Sequence, residues 1–511
     1  MNRSKTIPVL IVILALTARL IPGVRTIDDS YITFRYARNL LAGEGFVYNP
    51  GEAILGTTTT LYALLMTGLG ALTGGVDAPF PQLALGINAL ADAATVWLLW
   101  ALGRKLKARW AGTAAALVWA VAPYSVTFAI GGLETSLYVF LLTAAVYAYL
   151  DRRYPLAALL SGLAFLTRPD ALILVAPLTL DRLIRSVRKS EPKIKILEVL
   201  ALSVLPLAWI VFATCYFGSP IPHSVQAKIG AYHLESTEAL VRLLQHYATP
   251  FMEENVLGIP AIGVGLVIYP ALYLIGGRAA YRREKRLLSF ILYPWLYLII
   301  FAAANPLIFR WYLTPPLPAY FFFILFGMEE LLTSLLHLPA QYPLVQRSWK
   351  SVLLVGCIFI FPLSFLLASW ELHPDHGPDR PAPQMAWYKL ELLYQQAAEI
   401  AAPYLDENSL LAAGDVGVLG YTTGVRILDT VGLNSQEPLA YYPLDDRYYV
   451  INYAIPPDLI IAQQPDLVIF LEVYGREGLL KDPRFTSQYE LVQKLPTDIY
   501  TSDGMLIYRH R

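Results

Sequence analysis

Long uncharged apolar runs constrain this chain more than anything else in it. A helix needs about 20 predominantly apolar residues to cross the hydrocarbon core of a bilayer. Runs of that kind recur near 7–24, 83–103, 110–130, 133–150, 156–168, 171–186, 197–217, 258–277, 287–304, 315–333 and 351–370. Of the 511 residues, 56% are hydrophobic and only 15% charged, against about 25% charged in soluble domains. That surplus requires lipid as a solvent. A formal net charge of zero removes bulk attraction to nucleic acid. Cys215 and Cys357 each sit inside an apolar run and read as small core residues rather than a disulfide or a metal pair. The opening MNRSK-IPVLIVILALTARLIPGV lacks a small-x-small cleavage site and reads as an uncleaved first span.

Charge orients the spans, because basic residues favour the cytoplasmic side of short loops. A further apolar run lies at 57–73. If it does not cross, Arg3 and Lys5, RKLKAR (104–109), DRR (151–153), RLIRSVRKSEPKIK (182–195), RAAYRREKR (278–286) and QRSWK (346–350) all face inside. If it crosses, all of them except the N-terminus move outside. The first arrangement predicts eleven spans, with the N-terminus cytoplasmic and the C-terminus outside. The run at 57–73 then lies on the outer face. So does 30–41, with Tyr31, Phe34, Leu40 and Leu41 toward lipid and Arg35 and Arg38 toward headgroups. The expected fold class is a mainly α, multi-pass cell-membrane protein: a helical bundle over 1–370 with a first outer loop at 25–82. After 371 the apolar runs give way to turns such as HPDHGPDRPAP (373–383). A helix-like WYKLELLYQQAAEIAAPYL then leads into strand-like LLAAG, VRILDTVG, DLVIFLEV, YELVQKL and MLIYRH. This predicts a C-terminal extracytoplasmic α/β domain over 371–511, large enough for its own core.

In this topology a set of charges collects at the outer face. The first loop contributes Asp28, Asp29, Arg35, Arg38, Glu44 and Glu52. Later loops add Glu134 in GGLETS, Arg168 and Asp170 in TRPDA, His223 and Lys228 in FGSPIPHSVQAK, and Arg310 beside Trp311 and Tyr312. Most have an ordinary reading. Arg310 suits an interface anchor, Arg168 and Asp170 suit a mutual clamp, Glu134 suits a helix N-terminus, His223 a plain loop and Glu44 a solvated turn. The Asp28–Asp29 pair resists that treatment, because adjacent like charges repel and acids at a membrane face are costly unless used. A carboxylate can take the proton of an attacking hydroxyl. Cations can hold a phosphate as it leaves, and the membrane supplies a lipid-tailed substrate. Together these describe group transfer from a lipid phosphate at the outer face.

The acid pair after one span, within DDSYITFRYARNLLAGEGFVYNPGEAILGTTTTL (28–61), resembles the GT-C glycosyltransferases, which use polyprenyl-phosphate sugars. Within them it is similar to the terminal β-(1→2)-arabinofuranosyltransferase branch. GGLETSLYVFLL, FLTRPDALIL, PIPHSVQAK, RWYLTPPLPAY and GDVGVLGYTTGVRILDTVGLNS follow in the matching order, so the resemblance covers nearly the whole chain. It implies a GT-C-type bundle and inverting transfer from a polyprenyl-phosphate-linked sugar to a glycan, lipid or protein acceptor of the cell envelope. It puts the first-loop acid on Asp28 or Asp29, the second acidic loop on Glu134, and the RYAR element on Arg35 and Arg38. Asp29 is favoured as the base, lying farther from the apolar span. Arg168, Arg310 and Lys228 are expected at the donor phosphate with Arg35 and Arg38, and Asp170, His223 and Glu52 are expected near the site. Where the branch is aromatic-rich, this chain reads GTTTTLY (56–62), so the sugar is not carried over.

Some GT-C enzymes hold a divalent metal between two acidic loops, but Asp29 and Glu134 alone are too few ligands to predict one, and no cofactor is assigned. The tail element GDVGVLG is spaced GxxGxxG rather than GxGxxG. It reads as a strand-to-helix turn without a nucleotide site. The competing reading is a lipid or glycan transporter or flippase, which predicts charges midway along spans or inverted repeats. Asp92 is the main mid-span charge, and no repeat is seen. A catalytically dead glycan receptor is the third reading, disfavoured by the acid pair.

Overall fold

The computed structural model describes residues 3–338, 348–372, 377 and 379–511. Residues 346–347 of the QRSWK loop and residues 373–376 and 378 of the HPDHGPDRPAP turn lie outside the described residues, as do the side chains of Arg3 and Lys5. The chain forms two compact units, each built from several segments.

The first unit holds Met1–Arg25, Ala84–Leu207 and Thr237–Ala386. Each of the eleven apolar runs predicted from sequence is helical. Six helices have the length and composition to cross a membrane: Phe80–Lys105, Ile196–Phe217, Ile259–Arg283, Lys285–Ala304, Leu317–Leu335 and Trp349–Ala368. A seventh is reached if Arg109–Val121 and Pro123–Ile130, bent by 43°, make one span. Thr6–Leu20, Thr135–Leu150 and Tyr154–Thr167 are apolar but shorter. At 1.5 Å per residue, the 14 residues of Tyr154–Thr167 extend about 21 Å against a hydrocarbon core of about 30 Å. Length and composition thus give six or seven spans among the described residues.

Small residues let these helices approach closely. A Cβ on Gly276 would stand 2.0 Å from the Phe323 carbonyl oxygen, and one on Gly327 1.9 Å from that of Leu272; membrane helices associate through contacts of this kind. The mid-span acid Asp92 is compensated inside the unit. It receives Arg19 Nε at 2.9 Å, Ser136 Oγ at 2.8 Å and Trp119 Nε1 at 3.0 Å. Both cysteines are free, and Cys215 is exposed. It is therefore not the core residue predicted from sequence: hydrophobicity alone cannot tell a core-facing position from one on the outside of an apolar helix.

The second unit holds Thr26–Leu83, Ala208–Ser236 and Trp387–Arg511. Helix α1 (Asp28–Ala42) places two acids in its first turn, where the helix dipole favours them. It stops at Gly43, whose φ of +87° lets its N–H turn back onto the last carbonyls. Three further helices matter for the site: α2 (His223–Ala231), α3 (Lys389–Ala401) and α4 (Gly417–Thr423). The sheet comprises β1 (Leu410–Ala413), β2 (Arg426–Asp429), β3 (Leu467–Leu471), β4 (Tyr489–Leu495) and β5 (Met505–His510), in the order β2–β1–β3–β5–β4. Strand β1 runs parallel to β2 and β3, while β5 is antiparallel to β3 and β4. All five residues of β3, LVIFL, are buried, as suits a strand covered on both faces. The five strands are the five strand-like runs of the tail sequence.

Helix α1 departs from the surface helix expected at 30–41. Tyr31, Phe34, Arg35 and Tyr36 are all buried. Phe34 stacks on Phe80 at 5.9 Å, and Tyr31 meets Tyr421 at 5.3 Å. Its aromatic residues face protein within the unit rather than lipid.

Candidate functional site

The two adjacent acids are held in unlike ways. Asp28 is buried, and its carboxylate accepts the backbone N–H groups of Gly417 (2.8 Å) and Val418 (2.7 Å) at the start of α4. A Cβ on Gly417 would lie 1.8 Å from the Asp28 carbonyl oxygen, so only glycine admits this approach. The place where a phosphate-binding loop would hold its ligand is filled by a carboxylate of the chain itself. Asp28 also donates its own N–H to Glu391 Oε1 on α3 at 3.1 Å. Burial, with Asp415 and Asp29 nearby, pushes the Asp28 carboxyl up against the downward pull of the two N–H donors.

Asp29 is half-buried, and among the described residues none hydrogen-bonds its carboxylate. Burial raises its carboxyl above the ordinary range, and the Lys228 ammonium on α2 pulls it down. Asp415, Glu391 and Tyr232 also lie within reach of its charge. Asp415 lies two residues beyond β1 and accepts the Tyr394 hydroxyl at 2.6 Å; burial and Asp29 hold it up, the Tyr394 bond notwithstanding. Glu391 is buried, has one oxygen without a partner, and is pushed up to about 8. Sequence reasoning missed Asp415, Glu391 and Tyr394. Asp415 stands inside GDVGVLG, and an acid in a strand-to-helix turn was the available signal; Glu391 and Tyr394, three apart on α3, offered only a shared helix face.

The other first-loop residues predicted for the site tie the second unit together. Arg35 is 1% exposed. It donates to the carbonyls of Tyr48 (2.7 Å), Gly420 (2.6 Å) and Val425 (2.7 Å) and to Asn49 Oδ1 (3.2 Å). Arg38 donates to the Tyr421 carbonyl at 2.8 Å and lies over its ring. Glu52 pairs with Arg426. His223 Nε2 meets the Ser435 carbonyl at 3.2 Å. Carbonyl partners occupy both arginines.

The remaining predicted residues lie in the first unit. Arg168 is buried between two acids, at 3.2 Å from Glu134 and 2.9 Å from Asp170. It lies over the Tyr312 ring at 4.7 Å and the Tyr138 ring at 5.4 Å. Arg310, two residues before Tyr312, is exposed and makes no ion pair among the described residues. Among the described residues, no group of three or more His, Cys, Asp or Glu is arranged to hold a metal ion.

Comparison with known proteins matches both ends of this picture. A family described as Dolichyl-phosphate-mannose-protein mannosyltransferase matches residues 82–212, and Domain of unknown function (DUF8728) matches residues 384–508. Terminal beta-(1->2)-arabinofuranosyltransferase of Mycobacterium tuberculosis (strain ATCC 25618 / H37Rv) is 32% identical over 222 residues, 40% of this chain. The matched part spans 35% of the length of that curated relative. The fold is similar to ArnT from Cupriavidus metallidurans bound to undecaprenyl phosphate, with a TM-score of 0.57 at 12% identity over 98% of this chain and 97% of that one. It is also similar to the oligosaccharyltransferase of Archaeoglobus fulgidus, with a TM-score of 0.56 at 10% identity over 99% of this chain and 74% of that one. The chain has the fold of these two structures.

Proposed function

We propose that this protein is a GT-C glycosyltransferase that moves a sugar from a polyprenyl-phosphate donor to a hydroxyl of a cell-envelope glycan, lipid or protein. The matches to mannosyl- and arabinofuranosyltransferases support the transfer. The likeness to ArnT, solved with undecaprenyl phosphate, supports the lipid carrier. The observation that carries the chemical reading is the unlike state of the two acids. Asp28 has both oxygens engaged by backbone N–H groups, whereas the Asp29 carboxylate has no such partner and a lysine nearby.

In this reading the acceptor hydroxyl attacks the anomeric carbon and Asp29 takes its proton. The bond to the phosphate oxygen breaks on the opposite face, so the configuration inverts. Lys228 stabilises the departing phosphate, since a cation aimed at developing charge acts most strongly where water is scarce. Arg310, exposed in the first unit, is assigned a separate part in donor binding. A base with its pKa raised toward the working pH accepts a proton more readily, and burial acts on Asp29 in that direction. Asp28, Arg35 and Arg38 hold the acid loop in place. Arg168 is neutralised by Glu134 and Asp170 and keeps the turn around Tyr312 in shape. We place the reaction at the outer face of the cell membrane, with eleven crossings, a cytoplasmic N-terminus and residues 371–511 outside, on the strength of the basic loops.

The test is a membrane assay with a panel of polyprenyl-phosphate sugars, read by product mass. One donor should give a product heavier than the acceptor by one sugar, and Asp29→Asn should cut its rate by about 10²–10⁴-fold. Undiminished transfer by Asp29→Asn removes the carboxylate base. Failure with every donor, together with lipid movement across vesicles, favours the transporter reading. A reporter fused after Arg511 should be active only when exported.

A further inference from the structure

We propose a second lipid site in the first unit, built to hold an anionic phospholipid of the bilayer and unconnected with the sugar donor. A small cavity of about 110 Å³ opens among helices Tyr154–Thr167, Leu172–Val187 and Ile196–Phe217. Tyr149, Tyr154, Ala157, Leu178 and Leu202 line it.

Most of the polar groups in its wall are already used. Arg182 gives Nε and Nη2 to the two carboxylate oxygens of Glu198 at 2.9 and 3.0 Å and lies 4.0 Å over the Tyr154 ring. Ser161 Oγ donates to the Ala157 carbonyl at 2.8 Å, and Tyr149 to Asp181 at 2.6 Å. What the interior offers a ligand is hydrocarbon. The helix Ile196–Phe217 is buried over only 11% of its most apolar window and turns Ile196, Leu197 and Leu200 outward. One wall of the pocket therefore borders the region where acyl chains run. A Cβ on Gly162 would stand 2.7 Å from the Leu202 carbonyl oxygen, so two of the walls are pressed together and the gap beside them is fixed by packing.

The residues next to the wall in the chain carry the opposite chemistry. Arg153 adjoins Tyr154 in sequence, and Lys193 and Lys195 flank the wall residue Ile194. All three are exposed and, among the described residues, form no ion pair. Since Arg182 is cancelled by Glu198, these three supply the net positive charge. An apolar slot whose wall residues have cations as chain neighbours suits one acyl chain inside and a phosphate outside; basic pockets between membrane helices bind anionic headgroups in this way. A zwitterionic lipid would bring its own ammonium among three cations, so the site selects against it.

The full chain, purified in detergent, can be titrated with phosphatidylglycerol or phosphatidylcholine of identical acyl chains and read by native mass spectrometry. Wild-type protein should retain phosphatidylglycerol preferentially. Arg153→Ala, Lys193→Ala and Lys195→Ala should each lower its affinity about fivefold, the equivalent of ~1 kcal/mol per cation near a membrane surface, and the triple variant should lose the preference. Ala158→Trp, at a half-exposed position lining the pocket, should abolish retention of both lipids. Equal retention of the two lipids by wild type overturns the proposal, as does an unchanged preference in the triple variant. So does full retention by a folded Ala158→Trp; if that variant does not fold, the exposed charge variants decide alone. None of these readouts uses transfer activity, so this site and the enzymatic assignment stand or fall separately.

Discussion

Replacing Asp28 and Asp29 one at a time by asparagine separates a structural acid from a chemical one. The Asp28 carboxylate meets two buried N–H groups at 2.8 and 2.7 Å. An asparagine in its place offers one carbonyl oxygen and turns an NH₂ toward the second donor, leaving a buried N–H unpaired at a cost of about 1–3 kcal/mol. Relief of the burial and acid repulsion that push the Asp28 carboxyl up offsets part of this. The expected net loss is ~1–2 kcal/mol. Asp29→Asn gives up no hydrogen bond and should change stability by no more than about 0.5 kcal/mol, while transfer falls by about 10²–10⁴-fold. Thermal melting of both purified variants, paired with initial transfer rates, should show a crossed pattern: Asp28→Asn melts earlier and keeps measurable activity, while Asp29→Asn melts like wild type and is nearly inactive. Wild-type melting of Asp28→Asn together with early melting of Asp29→Asn would refute the assignment of roles.

Glu391, held up to about 8 by burial, keeps a proton in the folded chain that the unfolded chain releases near pH 4.3. Its stabilisation is complete below that lower value and is lost as pH rises through about 8. Glu391→Gln should therefore melt later than wild type at pH 8.5 and equally near pH 4; an advantage equal at both pH values would contradict this. Because burial lifts Asp29 and Lys228 lowers it, kcat/KM should fall on acidification with a midpoint above the ordinary carboxylate range, and Lys228→Ala should move that midpoint upward. Arg35→Lys cannot reach the three carbonyls and Asn49 that Arg35 serves, and should cost about 3 kcal/mol of stability in the same melting assay. Arg310→Ala, at an exposed position, should lower turnover without lowering the melting temperature; unchanged turnover would return Arg310 to the role of an interface anchor.

Much of the architecture was legible because it rests on local pattern. The apolar runs became helices, and DLVIFLEV became the fully buried β3, since hydrophobic period and β-branched content are read within a few residues. The strand-to-helix turn at GDVGVLG was legible for the same reason. A span count does not follow from helix length alone: the run 156–168 is apolar enough to suggest a crossing, while its helix of 14 residues is shorter than the ~20 a crossing usually takes. The first loop was recognised as important but misread in kind. Arg35 and Arg38 sit at amphipathic spacing, which is equally compatible with headgroups and with backbone carbonyls. Three of their carbonyl partners lie 383 to 390 residues away, and no window of sequence contains both ends of those bonds. Glu391 was invisible for that reason too, since an acid beside a distant acid leaves no local mark, and Asp415 showed only as an acid in a strand-to-helix turn.

The seating of Asp28 on α4 also orders events in time. The acid emerges from the ribosome 389 residues before Gly417, whose N–H it accepts. Until the last quarter of the chain is made, both carboxylates already stand after a finished first helix, but the strand-to-helix turn that receives one of them does not yet exist. A nascent or truncated chain ending before residue 417 would carry the proposed base without the scaffold that separates it from its neighbour. Synthesis thereby delays the seating of Asp28 until most of the chain has been made.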